Sequence, residues 1–396
     1  VTSSRSGRLD YLVGGLRISV SDDSTTPGPR SHILGFTRAA SGLGLKPDLF
    51  LASGVPLLQR FSSMPEGAAG ESGRLRVLAA DVVRLVAWIW SGCCLYWAKR
   101  KQDAPAMIYE RVAVMQNLTA FHPARSKAPR VVESNGLMAR ETQLDRNALV
   151  LAGIARRLEK RCYAHADLVV AVSQPLKDAI SEEFSIDKEK ILVVPNAIPQ
   201  KVVELRRAVS NDLIIGFVGS VVAWQQLDIL IRAFARVRKR DGVPPNVRVE
   251  IIGSGPELPA LIDLVESLDL AESVTLFGSL PQDEALTRMT RWALGYSGHA
   301  ASSHTDMYHS PLKLYEYAGL GLSIVATPSQ DAECLVASGA RIHQFSSSDD
   351  LDAALVEAIS TYASLSPSEV EESRKKTIAE HSWEARVRSV LVSLHV

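Results

Sequence analysis

Between positions 308 and 321 the chain reads Tyr308-His309-Ser310-Pro311-Leu312-Lys313-Leu314-Tyr315-Glu316-Tyr317-Ala318-Gly319-Leu320-Gly321, residue types suited to binding a phosphate. Ser310 is a good helix N-cap, and Pro311 fits the first helical position, where its missing N–H costs nothing. A helix starting there presents unpaired backbone N–H groups and a partial positive charge. Lys313, in the first turn, opposes the helix dipole, a placement that makes sense when an anion lies nearby. Glu316 follows one turn after Pro311 and Leu312 and can face the same ligand from further along. Gly319 and Gly321 end the helix before the apolar run Ile324–Ala326. An ordinary capped helix carrying a surface lysine has the same sequence features, so both readings stay open on residue types alone.

The first half offers weaker candidates. Gly14-Gly15 follows the apolar run Leu9–Val13; such a pair permits close approach to a sugar or phosphate and equally suits a tight turn with no ligand. Arg17 follows, either reaching a ligand or solvated. Glu110 and Arg111 end one expected strand, and Glu133 and Asn135 end the next, positions where parallel sheets gather ligand groups. Glu133 and Glu141 can bind an acceptor hydroxyl or amine. Glu110 with Arg111 is either an acceptor contact or a structural ion pair. Asn135 can hydrogen-bond a sugar hydroxyl but cannot act as a general base at neutral pH. His299, His304 and His309 fall in one stretch, with no Cys or acidic pattern to complete a zinc site. No metal and no cofactor are expected.

Positioning these groups requires alternating strands and helices. Strands are expected at Leu9–Val13, Asp48–Leu51, Ala106–Glu110, Arg130–Glu133, Leu168–Val172, Ile191–Val194, Leu213–Val218, Arg248–Ile252, Val274–Phe277 and Ile324–Ala326. Helical patterns cover Arg30–Leu43, Arg74–Lys99, Gln143–His165, Trp224–Arg238, Glu257–Leu268 and Leu351–Ala363. Apolar strands alternating with amphipathic helices imply parallel sheets with right-handed crossovers. The expected class is α/β, with two facing doubly wound Rossmann-like domains and a ligand cleft between them. A boundary near Pro195–Asn211 gives domains 1–195 and 196–381, with the helical pattern Ser382–Leu394 crossing back to the first. Ser53–Gly73 reads as a loop, and Ser364–His381 as a polar connection.

The chain has 396 residues, with 44 Lys plus Arg balanced by 44 Asp plus Glu. That balance gives no general attraction to nucleic acid or to an anionic membrane. Cys93, Cys94, Cys162 and Cys334 show neither metal spacing nor a disulfide framework, and Val1–Asp10 lacks a signal-peptide core; a cytoplasmic location is expected. The most apolar stretch, Leu75–Ala98, is interrupted by Asp81 and Arg84, leaving an uncharged run too short to span a bilayer. A buried or partly exposed helix is expected there, with a membrane-surface helix as the alternative and peripheral contact the most that is anticipated.

The run Ser310–Thr327 resembles the nucleotide-sugar segment of GT-B retaining glycosyltransferases, in particular glycosyltransferase family 4. Ala166–Ser173, Val194-Pro195-Asn196, Gly216–Ser220 followed by Leu227-Asp228, Ile252–Pro256 and Phe277-Gly278 resemble that family's other landmarks, in order and spacing. The likeness covers Ala166–Leu394 well and the first domain loosely. It implies that Glu316 binds the nucleotide ribose and that Ser310, Pro311, Leu312 and Lys313 hold the diphosphate. Gly219, Phe277 and Gly278 complete the donor site it implies, and Gly14, Gly15, Ser220 and Gly253 are further candidate donor contacts. Lys313, and Asn135 where some relatives carry a His that contacts the transferred sugar, are the implied catalytic pair.

Three charged contacts common in the family are absent: Ser220 and Gln225 stand where Arg and Lys are frequent, and Tyr308 where a first Glu is frequent. The phosphate role therefore concentrates on Lys313. The resemblance implies metal-independent, retaining transfer of a hexosyl group from a nucleoside-diphosphate sugar, most simply a UDP-sugar. The acceptor is a hydroxyl on a small molecule, a glycan or a lipid-linked saccharide. Two alternatives stay open. A nucleotide-sugar-binding protein of the same fold would bind without turnover, and a sugar-nucleotide epimerase would convert donor with no acceptor added.

Overall fold

The computed structural model describes residues 7–21, 27–55, 57, 73–144, 147–208, 213–299 and 310–394. The chain divides into two compact units. One comprises Val1–Pro195, Tyr308–Ser310 and Trp383–Val396; the other comprises Asn196–Met307 and Pro311–Ser382.

In the first unit, strands β1 Arg8–Val13, β2 Lys46–Leu51, β3 Met107–Arg111, β4 Arg130–Ser134, β5 Leu168–Ala171 and β6 Ile191–Val193 form one parallel sheet in the order β2-β1-β3-β4-β5-β6. Strands β3 and β5 are buried along their whole length, the first even though it ends in Glu110 and Arg111. That is the pattern of a sheet covered on both faces. Among the described residues the helices are α1 Pro27–Gly42, α2 Arg74–Lys99, α3 Met138–Leu144, α4 Ala152–His165 and α5 Gln174–Phe184, joined at the end by Trp383–Ser393. This last helix packs on α1, where a Cβ on Gly35 would collide with the Trp383 ring.

In the second unit, strands β7 Ile214–Val218, β8 Arg248–Ile252, β9 Val274–Gly278, β10 Leu294–Ser297, β11 Ser323–Ala326 and β12 Ile342–Gln344 form a second parallel sheet, ordered β12-β11-β10-β7-β8-β9. Its helices are α6 Gln200–Glu204, α7 Leu227–Val237, α8 Leu258–Ser267, α9 Gln282–Met289, α10 Leu312–Leu320, α11 Gln330–Ala337, α12 Ser348–Ser364 and α13 Pro367–His381; Trp383–Ser393 of the first unit is α14. One core lies between the sheet and α7, α8 and α12, around Phe217, Leu230, Phe234 and Leu355. Another lies under α9 and α10, around Trp292, Tyr315 and Tyr317.

Several expectations are corrected. The single helix expected over Gln143–His165 is two, α3 and α4, because tertiary bonds occupy the backbone between them. The Asp81 carboxylate accepts from the N–H groups of Val150 and Leu151 at 2.7 and 2.8 Å, and the Ala148 carbonyl accepts from Arg84 at 2.8 Å. The helix expected from Trp224 starts at Leu227, because Gln226 adopts a left-handed conformation (φ 53°) and a 3-10 turn, Ala223–Gln225, precedes it. The polar region Ser364–His381 holds a helix that was not expected, α13, opened by a capping box between Ser366 and Glu369. Strands β10 and β12 were not anticipated. Helix α2 has the expected bounds, and much of it faces outward.

Candidate functional site

Strands β7, β8 and β9 end side by side, and their exit turns are joined through the backbone. The Gly219 N–H donates to the Ile252 carbonyl at 3.0 Å, Val221 to Ser254 at 3.0 Å, and Gly253 to Gly278 at 2.8 Å. Only glycine fits at two of these points. Gly219 and Gly253 have φ of 146° and 143°, and a Cβ on Gly253 would collide with the Gly219 carbonyl oxygen. Such conformations are strained for any side chain. Ser220 is exposed on the first turn. At the third, Phe277 is partly buried, with the Arg288 guanidinium 4.0 Å from its ring centroid.

Helix α10 brings Lys313 to this turn cluster. Its register is fixed from behind, where the Val218 N–H donates to the Tyr317 hydroxyl at 3.1 Å. Arg374 of α13 clamps the far end, donating to the Gly319 carbonyl at 2.7 Å and also to the carbonyls of Val202, Val203 and Leu205. The Lys313 ammonium then lies 3.4 Å from where a Gly219 Cβ would sit, and 4.1 Å from the Phe217 ring centroid. It donates to the Gln225 amide oxygen at 2.5 Å. Among the described residues no carboxylate lies within ion-pair distance of it. Burial pushes the Lys313 ammonium down to about 7, against the pull of Glu316 one turn on. Burial likewise pushes the Glu316 carboxyl up to about 7, against Lys313. Glu316 has no hydrogen-bond partner among the described residues.

The helix begins one residue later than expected. Pro311, not Ser310, is the N-cap residue, with no side-chain cap, and Leu312 opens the helix. Ser310 is buried and groups with the first unit. His299 stands beside Lys313's partner: its N–H donates to the Thr327 hydroxyl at 3.1 Å, and its Nε2 lies 3.5 Å from Gln225 Nε2. His304, His309 and Tyr308 lie outside the described residues. Gln225, read from sequence as a missing cation, is the group that holds the remaining one. Its amide in a turn before a helix gave no signal of that role.

In the first unit, two acceptor-site candidates are committed to the fold. The Glu110 carboxylate is wholly buried and accepts from the N–H groups of Leu118 and Thr119 at 2.6 and 2.7 Å, and from the Thr119 hydroxyl at 2.5 Å. It is also not paired with Arg111. Glu133 is the hub of a buried network, accepting from His32 at 2.9 Å, Tyr109 at 2.7 Å, Arg111 at 2.8 Å and Asn135 at 2.7 Å. Burial raises its pKa, but the charges of His32 and Arg111, with hydrogen bonds from His32 and Asn135, hold it well below the usual carboxylate range. Arg111 is thereby spent on Glu133. An acceptor cannot reach these carboxylates without breaking this packing. Tyr109 and His32 were not anticipated, because neither sits in a recognisable motif.

Asn135 is partly exposed, and its amide oxygen has no partner among the described residues. Glu141 is buried, against Gly136, where a Cβ would collide with its carboxylate. Gly14 and Gly15 do not have positive φ. They are small because neighbours crowd them: a Cβ would come 2.7 Å from the Gln116 Cβ and 2.6 Å from Ile18 Cδ1. Gln116, which carries no sequence signal, is buried beside Gly14, and neither amide atom has a partner among the described residues. Arg17 is exposed.

Two family models match the chain and together span more than half of it: glycosyltransferase family 4 over residues 53–201, and glycosyl transferases group 1 over residues 212–364. A D-inositol 3-phosphate glycosyltransferase of Actinosynnema mirum is 29% identical over 147 residues, which is 31% of this chain and 34% of that relative's length. The matched stretch thus spans about a third of that relative. Sucrose-phosphate synthase from Thermosynechococcus elongatus superposes with a TM-score of 0.65 at 14% identity, covering 98% of each chain. HepE of Anabaena, solved in complex with UDP, gives a TM-score of 0.60 at 15% identity, covering 98% of this chain and 99% of that one. At such identities these likenesses establish the two-sheet α/β fold.

Proposed function

Because the chain belongs to glycosyltransferase family 4, we propose that it moves a hexosyl group from a nucleoside-diphosphate sugar, a UDP-sugar, to an acceptor hydroxyl, with retention and without a metal. The observation that carries this reading is the desolvated Lys313 ammonium at the Gly219 turn, held by a neutral amide and lacking a carboxylate partner among the described residues. A buried cation without a counter-ion is costly unless a ligand supplies the negative charge. A diphosphate does so, and the open first turn of α10 adds backbone donors. Glu316, one turn on and unpartnered, suits the paired hydroxyls of a ribose. The complex of HepE with UDP supports the choice of base.

In the reaction, the bond between the anomeric carbon and the diphosphate oxygen breaks and the acceptor oxygen bonds to that carbon. The acceptor's proton passes to the departing phosphate oxygen, so no protein base is needed. Negative charge grows on the leaving diphosphate, where Lys313 stabilises it electrostatically. This local charge compensation supports metal independence. Retention rests on the family resemblance. Four free thiols, Cys93, Cys94, Cys162 and Cys334, support a reducing, cytoplasmic location.

The test is calorimetry of UDP-, GDP- and TDP-sugars with chelator present, on the unaltered protein and on Lys313→Ala. At least one donor should bind without metal, and the substitution should weaken it by about 1.5–3 kcal/mol, the scale of a charge-assisted hydrogen bond. Unchanged affinity in the variant would sink the phosphate assignment. Donor turnover with no acceptor added would favour an epimerase instead.

A further inference from the structure

Helix α2 packs on the first unit through apolar and polar side chains alike: Leu95 and Ala87 belong to core clusters, and Leu85 and Trp88 pack against them. Its protein-facing side carries polar groups with fixed partners. Asp81 is wholly buried and accepts from Val150 and Leu151. The Ser91 hydroxyl donates to the Ala87 carbonyl at 2.6 Å, and buried Lys99 pairs with Asp10 at 2.8 Å and Asp48 at 2.6 Å. Its outward side is apolar. Leu75, Val82, Val86, Ile89, Trp90 and Trp97 recur at helical spacing and are exposed, Val86 by 61%, Trp90 by 43% and Trp97 by 64%. No acidic residue interrupts this stripe. Over 26 residues it runs about 39 Å at 1.5 Å per residue. A continuous exposed apolar stripe of that length marks an interaction surface.

We infer that α2 is a membrane-surface helix whose outward stripe seats in the interface of an anionic bilayer. The charge arrangement selects this occupant. Exposed Arg74 and Arg76 stand at one end, and exposed Arg100 and Lys101 at the other, with the Arg100 guanidinium 4.0 Å from the Trp97 ring centroid. Basic residues flanking an apolar, Trp-bearing face match an anionic headgroup layer, with indoles at the water boundary. A second copy of the chain fits worse. In a two-fold pairing of this face, parallel or antiparallel, cationic ends meet cationic ends.

The helix is long and apolar enough to cross a bilayer by length and composition alone. Crossing would strip Asp81 and Lys99 of the partners that satisfy them, leaving charges in hydrocarbon. It therefore lies on the membrane rather than through it.

The proposal concerns binding alone and stands independently of the sugar-transfer reading. The test is co-sedimentation of the full chain with vesicles of phosphatidylcholine, with and without phosphatidylglycerol, no sugar nucleotide present. Partition should rise with phosphatidylglycerol. Trp90→Gln/Trp97→Gln should reduce it at least about tenfold, from the apolar area withdrawn. Arg100→Gln/Lys101→Gln should cost about fivefold per cation on anionic vesicles, the equivalent of about 1 kcal/mol each. Quenching of tryptophan fluorescence by brominated lipid should fall in the first variant, whose fold is checked by circular dichroism. Absence of vesicle binding by the unaltered chain overturns the proposal, as does equal binding by both variants. So does a dimer in sedimentation velocity that Trp90→Gln/Trp97→Gln converts to monomer without any effect on vesicles, which would assign the face to a second copy.

Discussion

The ammonium of Lys313 and the amide oxygen of Gln225 are 2.5 Å apart, and this pairing defines the candidate donor site. Gln225 occupies a turn that the sheet fixes: Gln226 is left-handed, and the Tyr296 hydroxyl donates to its carbonyl at 3.0 Å. The amide orients the cation without neutralising it, so positive charge stays available at the Gly219 turn. A carboxylate at the same place would hold Lys313 more firmly and compete with a phosphate.

Donor affinity should follow a bell in pH centred near 7. Lys313 binds an anion in its protonated form, and burial sets its pKa at about 7, so affinity falls as pH rises above that value. Glu316 accepts from ribose hydroxyls as the carboxylate, and burial sets its pKa at about 7, so affinity falls as pH drops below it. The pair titrates jointly, and its two limbs belong to both groups. Calorimetry should show the alkaline limb lost in Lys313→Ala and the acidic limb lost in Glu316→Gln. A flat profile in the unaltered protein contradicts this assignment.

Gly253→Ala should damage both stability and donor binding. Its φ of 143° costs about 1–3 kcal/mol for a residue with a side chain, and the new methyl pushes on the Gly219 carbonyl. Gly242→Ala is the comparison: φ is 85°, but nothing lies within 4 Å of its Cβ position. It should cost only strain and leave donor affinity unchanged. Urea unfolding and calorimetry on the two variants separate strain from collision.

Much of this site was legible because its signals are local. Glycines at Gly219 and Gly253, and Lys313 in the first turn of a helix, reflect constraints within a few residues. The buried strands were equally plain where apolar residues ran uninterrupted, as in Leu168–Ala171. Strand β10, Leu294-Gly295-Tyr296-Ser297, was not, since it contains a glycine and a serine; Gly295 is small because the Tyr317 ring packs against it. The split between α3 and α4 depends on Asp81, more than 60 residues earlier, so no local pattern could announce it. Glu110 and Glu133 misled for the same reason. A carboxylate at a strand end looks like a ligand group until its distant donors are known.

Arg374→Met should destabilise the second unit by about 3–5 kcal/mol, the scale of several buried carbonyls losing a charged donor at roughly 1–3 kcal/mol each. Arg374 is 6% exposed and donates to four carbonyls, those of Gly319, Val202, Val203 and Leu205. Methionine fills the space but leaves those acceptors unsatisfied. Arg374→Lys keeps the charge without the planar fork and should fall between. Because Arg374 holds the end of α10, partial loss should also loosen Lys313, seen as weaker donor binding below the unfolding transition.

Glu133→Gln should flatten the acid limb of stability in the first unit. In the folded chain the Glu133 carboxyl is held well below the usual range, whereas unfolding returns it to about 4.5. A depressed folded pKa means the unfolded state takes up the proton first. The stabilisation is therefore fully present above about pH 4.5 and is lost as pH falls through the folded value. Glutamine cannot ionise, so it removes that pH dependence and leaves His32 and Arg111 without their common anion. The expected cost at neutral pH is about 3–5 kcal/mol, the scale of a buried charge losing its partner. The gap to the unaltered protein should narrow as pH drops from about 5 toward 3, since there the unfolded chain takes up a proton that the folded Glu133 carboxylate does not. Urea unfolding across that range measures it, and a gap that stays constant with pH would show that Glu133 titrates alike in both states.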